Sequence, residues 1–416
     1  MTVPLPRLVT VIGAGAAGLM AAIHAARAGA RVILLERTRD GGRKILISGG
    51  GRCNILPSEL DPSRFVSDSP APLVRRLLAS WPLPAQRAFF ETDLGLPLVV
   101  EPESGKLFPV SNRAREVRDA LVTAACAAGA ELRFGAHVTG VEPEAGGWRV
   151  ALEDREGVHA GAVIVGTGGL SVPATGSDGF GLGLARRLGH VVHPTYPALT
   201  PLTADPPVHA ALAGVSLPVT LRARTAGGRV TTRGGFLFTH RGYSGPAVLD
   251  ISHLAVRSRL RGDDPRQSIR VQWSEDDRGT WDRRLQHRSP QSVLAMLRQS
   301  LPSRLAERLI LEAKVDPATQ LAQLPREGRR ELVIRLSDYD LPWTGDEGYQ
   351  KAEVTGGGVA LGEVDPATLE SRRHHGLYFC GEVLDAFGPI GGYNFAWAWA
   401  TGRAAGLGAA KARPEG

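Results

Sequence analysis

The chain has 416 residues, with 49 Lys and Arg against 42 Asp and Glu and a formal net charge of +7. Its length supports two or three domains around a large core. Cys53, Cys126 and Cys380 are scattered and form no C-x-x-C pair, which argues against a disulfide framework and for a reducing, cytoplasmic setting. No metal-ligand spacing occurs, and no targeting segment is read. Only five of the basic residues are lysine, and arginine is spread along the chain among acids. The positive balance is therefore read as a composition bias of the source genome, with at most a mild pull on anionic substrates.

In chain order, a short apolar strand over 8–12 runs into Gly13, Gly15 and Gly18, a G-x-G-x-x-G. A helix over 16–28 follows, stopped by Gly29, then a strand over 31–35 ending on Glu36. Such glycines provide a tight turn, close approach to a pyrophosphate and close helix–strand packing. The helix N-terminus favours the anion. Glu36, about twenty residues on, suits a ribose 2′-OH and argues against a 2′-phosphate. The apolar run over 8–30 nears membrane-span length. His24, Arg27, the three glycines and the return as a strand argue against that reading. A second glycine-rich loop follows at once, GGRKILISGGGRCN over 41–54. It reads as a flap along the same cofactor, not as a second nucleotide site.

A helix is expected over 111–128, with Ser111 as N-cap and Gly129 as stop. Strands are expected over 131–134, 137–141, 148–152 and 160–165, the last entering Gly166-Thr167-Gly168-Gly169. From about Pro194 prolines cluster and the pattern turns β-rich, with a hairpin of 217–224 and 229–238 at Gly227-Gly228 and a strand over 269–273. Ser289-Pro290 is read as a helix start, and helical pattern persists to about Leu336. Near Lys351 the first texture returns. It brings a Gly-rich turn over 354–359, a strand over 377–380, Gly381-Glu382, and a Gly loop opening a small-residue helix.

The fold class is thus α/β. A Rossmann-type FAD-binding domain is split over 1–192 and 350–416. A β-barrel-like insert spans 193–275 and 337–349, and a helical subdomain spans 276–336. FAD is preferred to NAD because the C-terminal strand–Gly–acid unit has a use there. Glu382 can accept ribityl hydroxyls, and a helix N-terminus at 391–394 can stabilise negative charge on the flavin pyrimidine edge.

The stretches GAGAAG with Glu36, GRKILISGGGRCN (42–54), GTGGLSVPATGSDGFGLGLARRLGH (166–190), PALTPL (197–202), FTHRGYSGPAVLDIS (238–252), VTGGGV (354–359) and the run over 377–406 carry a resemblance. The chain resembles the BaiN-like/YhiN-like family of bacterial three-domain NAD(P)/FAD-dependent flavoproteins; the helical insert is not matched by motif. The resemblance implies FAD contacts at Gly13, Gly15, Ala16, Ala17, Gly18, Glu36 and Arg37. It extends them along the flap to Arg43, Lys44, Gly51 and Asn54. Val138 would touch adenine through its backbone, and Thr167 and Gly168 would line the pyrophosphate channel. Gly381 and Glu382 would meet the ribityl side, and Gly392, Tyr393 and Asn394 the ring.

The expected function is hydride transfer between flavin N5 and a small organic substrate; with a single G-x-G-x-x-G in the chain, either NAD(P)H docks transiently as donor or the donor is the substrate itself. An amine oxidase passing electrons to O₂ is the alternative. A flavoprotein acting on RNA ranks last, since it needs a contiguous arginine face. His240, Arg241 and Tyr243 are the weak catalytic candidates. Arg52 and Ser244 are further wall residues. Cys53 is read as structural, no metal is expected, and a monomer or small homo-oligomer without membrane or nucleic-acid partners is anticipated.

Overall fold

A computed structural model describes residues 7–225, 227–263 and 266–411. The chain divides into two compact units, Met1–Thr195 with Val354–Gly416, and Tyr196–Glu353.

The first unit is built on a five-stranded parallel sheet. Its order is Leu377–Phe379, Ala162–Val165, Leu8–Ile12, Arg31–Glu36 and Glu131–Phe134. Val9 pairs with Ala162 on one side and with Val32 on the other. The order therefore reverses at the C-terminal end of the central strand, where open α/β sheets place ligands. Helix Ala16–Arg27 lies against helix Tyr393–Ala410. A Cβ at Gly402 or Gly406 would stand 2.3 and 2.4 Å from the carbonyls of Ala17 and Ala21. The small residues of the last helix thus let two backbones touch, which seats the chain end on the first βαβ unit. Two antiparallel three-stranded sheets flank this core, one of them Val138–Glu144, Gly147–Leu152 and Val158–Ala160.

Three elements of this unit depart most from expectation. The helix after Ser111 is Ala114–Ala127. Asn112 adopts φ 53°, and the Ser111 hydroxyl accepts the Arg113 amide at 3.3 Å, so Ser111 closes a turn before the helix. The strand expected over 160–165 breaks at Gly161 and serves two sheets. VTGGGV is a fully buried strand, Val354–Val359, not a turn.

In the second unit seven strands run Tyr339–Asp340, Arg270–Gln272, Ser216–Thr225, Gly228–Phe238, Gly242–Ser244, Leu202–Thr203 and Gly345–Asp346, all paired antiparallel. Helix Pro246–Arg261 packs beneath the long hairpin and was not foreseen. Its signals are plain in retrospect: Pro246 in the first turn and Gly262 at φ 70° as its stop. The helices over 278–337 share one apolar core with the strands, joining Phe236, Phe238 and Trp273 to Trp281, Leu309 and Leu336. Ser292, not Ser289, caps helix Val293–Leu297 by accepting the Ala295 amide.

Candidate functional site

The three glycines of the first turn do different work. A Cβ on Gly18 would lie 1.8 Å from the Gly13 carbonyl, and one on Gly13 (φ 99°) 2.7 Å from the Gly166 carbonyl. Both are demanded by backbone packing. Nothing lies within 4 Å of a Cβ built on Gly15. Open space therefore fronts the N-terminus of helix Ala16–Arg27, which has no side-chain cap and no acid in its first turn. Glycine, dipole and free space there fit a diphosphate.

Glu36 ends the second strand and is nearly buried. Its Oε2 accepts the Ala14 amide at 2.8 Å, and Oε1 accepts the amide and hydroxyl of Thr38 at 2.8 and 2.7 Å. A carboxylate offers about four acceptor sites, so three donors fix its direction and leave Oε2 room for one hydroxyl. Arg37 pairs with Asp178. Val138 begins its strand at a register shift and is buried.

The flap folds as helix Arg43–Ile47 and a turn over Ser48–Gly51, in which Gly49 and Gly50 are left-handed. Cys53 is fully buried at φ 62°, and burial pushes its thiol up to about 12. It is a packed, inert cysteine. Arg43 turns to Asp40 at 2.9 Å. Arg52 pairs with Glu101 at 2.9 Å and covers the Phe108 ring.

Lys44 and Glu382, read separately in the sequence, meet. Lys44 Nζ donates to Glu382 Oε2 at 2.7 Å and to the Ser171 hydroxyl at 2.5 Å. Glu382 Oε1 accepts the Ser171 hydroxyl at 2.6 Å and the Thr355 amide at 3.0 Å. The Thr355 hydroxyl in turn accepts the amides of Leu170 and Ser171. One polar node thus ties the flap, the 166–171 loop, the strand Val354–Val359 and the turn after the last sheet strand. As at Glu36, three donors are satisfied and Oε2 keeps an acceptor site. The next residue, Val172, holds φ 48°, an outlier for a β-branched residue, of the kind that collects at functional loops. Ser171 and Thr355 were missed as site residues. Their signal was the polar residue set in two glycine runs, GTGGLS and VTGGGV.

Thr167 has a buried hydroxyl without a partner, and Gly168 takes φ 73° beside Ser177. Gly381 (φ 77°) donates to the Thr401 hydroxyl, and Gly392 (φ 96°) precedes helix Tyr393–Ala410. Tyr393 receives Arg64 at its hydroxyl. The Asn394 amide closes on the Gly388 backbone in both directions. Asp385, buried near the chain's last turn, accepts the Ser67 and Ser69 hydroxyls and the amides of Asp68 and Ser69, which clamps the 67–69 loop.

The catalytic candidates belong to the second unit. His240 and Arg241 are exposed at the turn before strand Gly242–Ser244. Tyr243 is fully buried and bonded to His209 Nδ1 at 2.9 Å. His209 Nε2 also meets Glu312 at 3.1 Å and the Tyr339 hydroxyl at 3.1 Å, and Arg308 holds Glu312 at 2.6 Å. This network sits in the core and joins elements of that unit.

Parallel sheet, glycine turn and strand-end acid define a dinucleotide-binding Rossmann-type protein. A family model described as the HI0933-like protein Rossmann domain matches residues 7–408. The chain belongs to this family of Rossmann-type flavoproteins, which are FAD-dependent oxidoreductases. A ribosomal RNA dihydrouridine synthase of Escherichia coli (strain K12) is 35% identical over 399 residues, 94% of this chain and 95% of the relative. A 3-dehydro-bile acid delta(4,6)-reductase of Clostridium scindens is 32% identical over 410 residues, 96% and 98%. Among solved structures, 3-ketosteroid-delta4-(5alpha)-dehydrogenase of Rhodococcus jostii RHA1 superposes with a TM-score of 0.52 at 17% identity, covering 99% of each chain. No helix among the described residues is long and apolar enough to cross a membrane.

Proposed function

We propose that this protein is an FAD-dependent reductase of a carbon–carbon double bond conjugated to a carbonyl, and that its acceptor is a uracil ring of ribosomal RNA. The observation that carries this reading is full-length similarity to relatives named for one chemistry on two substrates. Uracil C5=C6 is conjugated with the C4 carbonyl, as a Δ4 bond is with a 3-oxo group. Both reductions add a hydride to the β-carbon and a proton to the α-carbon. FAD, in its reduced form, would supply the hydride.

The chain's own part is to bind and orient. Gly15 and the first turn of helix Ala16–Arg27 would take the diphosphate, and Glu36 the adenosine ribose. Glu382, aligned by Lys44, Ser171 and the Thr355 amide, would take a ribityl hydroxyl through its remaining site. Gly392 to Asn394 would face the ring. Asp385 would hold the 67–69 loop in place. NAD(P)H would reduce the flavin by transient docking. The unreacting state of Cys53 supports a mechanism without thiol–disulfide exchange.

The test is anaerobic. The purified holoprotein is reduced with NADPH or, failing that, dithionite, and mixed with unmodified ribosomal RNA. The oxidised-flavin band should return as nucleoside mass spectrometry shows uridine gaining two hydrogens. A flavin that stays reduced with RNA but reoxidises with a 3-oxo-Δ4 steroid would overturn the RNA acceptor and favour the bile-acid relative's chemistry. Reoxidation by O₂ after reduction by an amine would overturn the reductase reading.

A further inference from the structure

The long hairpin of the inserted unit has two unlike faces. Leu217, Val219, Leu221 and Ala223 point into the core, at 0–8% exposure. The alternate positions face solvent. Register places Arg224 directly opposite Arg229, Arg222 opposite Arg270 on the next strand, and Arg233 opposite Thr220. Five arginines therefore share one face of three adjacent strands. Repeats two residues apart along a strand fall about 7 Å from one another.

Neutralisation is slight. Arg270 reaches Asp340 at 3.6 Å, across the sheet edge. Arg222 donates to the neutral Gln272 at 2.6 Å. Glu275 and Asp276 follow that strand, and Asp276 is taken by Arg284. Among the described residues, Arg222, Arg224, Arg229 and Arg233 have no carboxylate within ion-pair distance. Like charges set directly opposite each other disfavour a sheet. Two such pairs, Arg222/Arg270 and Arg224/Arg229, are a cost that an anionic partner would reverse.

The rest of the face names the partner's chemistry. Its other residues on these strands are Ser216, Pro218, Thr220, Thr231, Gly235, Leu237 and Gln272, with Asp340 opposite Arg270 on the edge strand, and no aromatic ring among them. A sheet that reads RNA bases stacks them on aromatic side chains. This one offers charge-assisted donors and hydroxyls, which suit phosphates and ribose. We propose that this arginine face is a docking surface for the RNA sugar–phosphate backbone, holding the substrate without reading its sequence. The proposal rests on the RNA reading above.

The test uses the full-length holoprotein and a triple variant, Arg224→Gln, Arg229→Gln and Arg233→Gln, with Arg229→Glu as a second, single variant. Both change exposed side chains, and an unaltered flavin spectrum and melting curve establish that they fold. The probe is an in vitro transcribed ribosomal RNA fragment, titrated across a salt series. Removing three phosphate contacts should lower the slope of log affinity against log salt by roughly 2–3. Poly-U and poly-A of equal length should be affected alike. Unchanged affinity and slope in the variants would overturn the docking surface, even if RNA is reduced normally. Loss of binding in the variants with no dihydrouridine formed by wild type would sink the reductase reading and leave the surface standing. No RNA binding by wild type would refute the surface outright.

Discussion

The two units treat charge in opposite ways. Around the glycine turns of the first, two carboxylates, Glu36 and Glu382, are each aimed by three donors and keep one acceptor site. In the second, beside ordinary surface ion pairs such as Arg259–Asp346, charge is sealed into a core network around His209 and gathered on a sheet face where, among the described residues, four of five arginines lack a carboxylate partner. Acceptors left over in one unit and donors left over in the other are where ligands of opposite kind are expected, a hydroxylated cofactor in the first and a polyanion in the second.

The largest expected effect separates packing from binding within the first turn. Gly18→Ala forces a Cβ to 1.8 Å from a backbone carbonyl that has no rotamer to relax into. It should cost on the order of 4 kcal/mol or prevent folding of that unit. Gly15→Ala meets nothing and has an ordinary φ of −77°. It should leave the melting temperature of the apoprotein unchanged while weakening FAD retention. Calorimetry of both apoproteins, with flavin content after dialysis, reads the contrast. Equal stability loss in the two would mean that Gly15 is another packing glycine.

A smaller effect probes the sealed network of the second unit. Burial alone would raise the Glu312 carboxyl, but hydrogen bonds from His209, Arg308 and Tyr339 outweigh it and hold the carboxyl down to about 2, from 4.5. A depressed folded-state value means that the unfolded chain binds the proton first. The stabilisation is therefore complete above pH 4.5 and is lost as pH falls toward 2, by about 2–3 kcal/mol. His24 and His253, both lowered to about 4 by burial, act earlier. They keep the folded state less protonated than the unfolded, so stability already declines from pH 6.5 to 4. Glu312→Gln should flatten the lower limb and spare the upper one in urea titrations. A variant whose two limbs match wild type would show that Glu312 is not held by this network.

Legibility in the sequence followed the range of the interaction. The first βαβ unit was readable because strand, turn, helix and acid are contiguous, and each glycine's role is decided within a few residues or against one neighbouring strand. Lys44 and Glu382 were each singled out, yet their meeting was not readable, since 338 residues separate them. Ser171 and Thr355 went unseen for the same reason. VTGGGV reads as a turn because three glycines outweigh the valines, yet the strand is fully buried and a Cβ on Gly358 would stand 2.7 Å from the Val383 carbonyl, so the glycines serve close backbone approach. The helix Pro246–Arg261 lay inside a segment whose prolines and hairpin suggested strands throughout. The arginine face is the sharpest case. Arginine spread evenly along the chain looked like composition, and only the register of three strands gathers it on one side. The proposed RNA acceptor, ranked last from the sequence, rests on the similarity to a relative named for RNA and not on this face.

The smallest effect concerns Tyr243, one of the three weak catalytic candidates read from the sequence. Tyr243 could have met a substrate had its hydroxyl faced solvent. It is fully buried, and burial pushes that hydroxyl's pKa upward, with Glu312 adding to the rise. The hydroxyl bonds to His209 Nδ1 at 2.9 Å and to the Pro342 carbonyl at 3.4 Å. A proton donor needs reach to the reacting atom, and this one is spent inside its own unit. Tyr243→Phe keeps the ring among Phe236 and Phe238 and removes the hydroxyl alone. Stability should fall by about 1 kcal/mol, the usual loss for one buried hydrogen bond. The rate of flavin reoxidation by RNA, and its pH profile, should match wild type. A drop in that rate with stability unchanged would return Tyr243 to the reaction and take the network around His209 out of the category of packing.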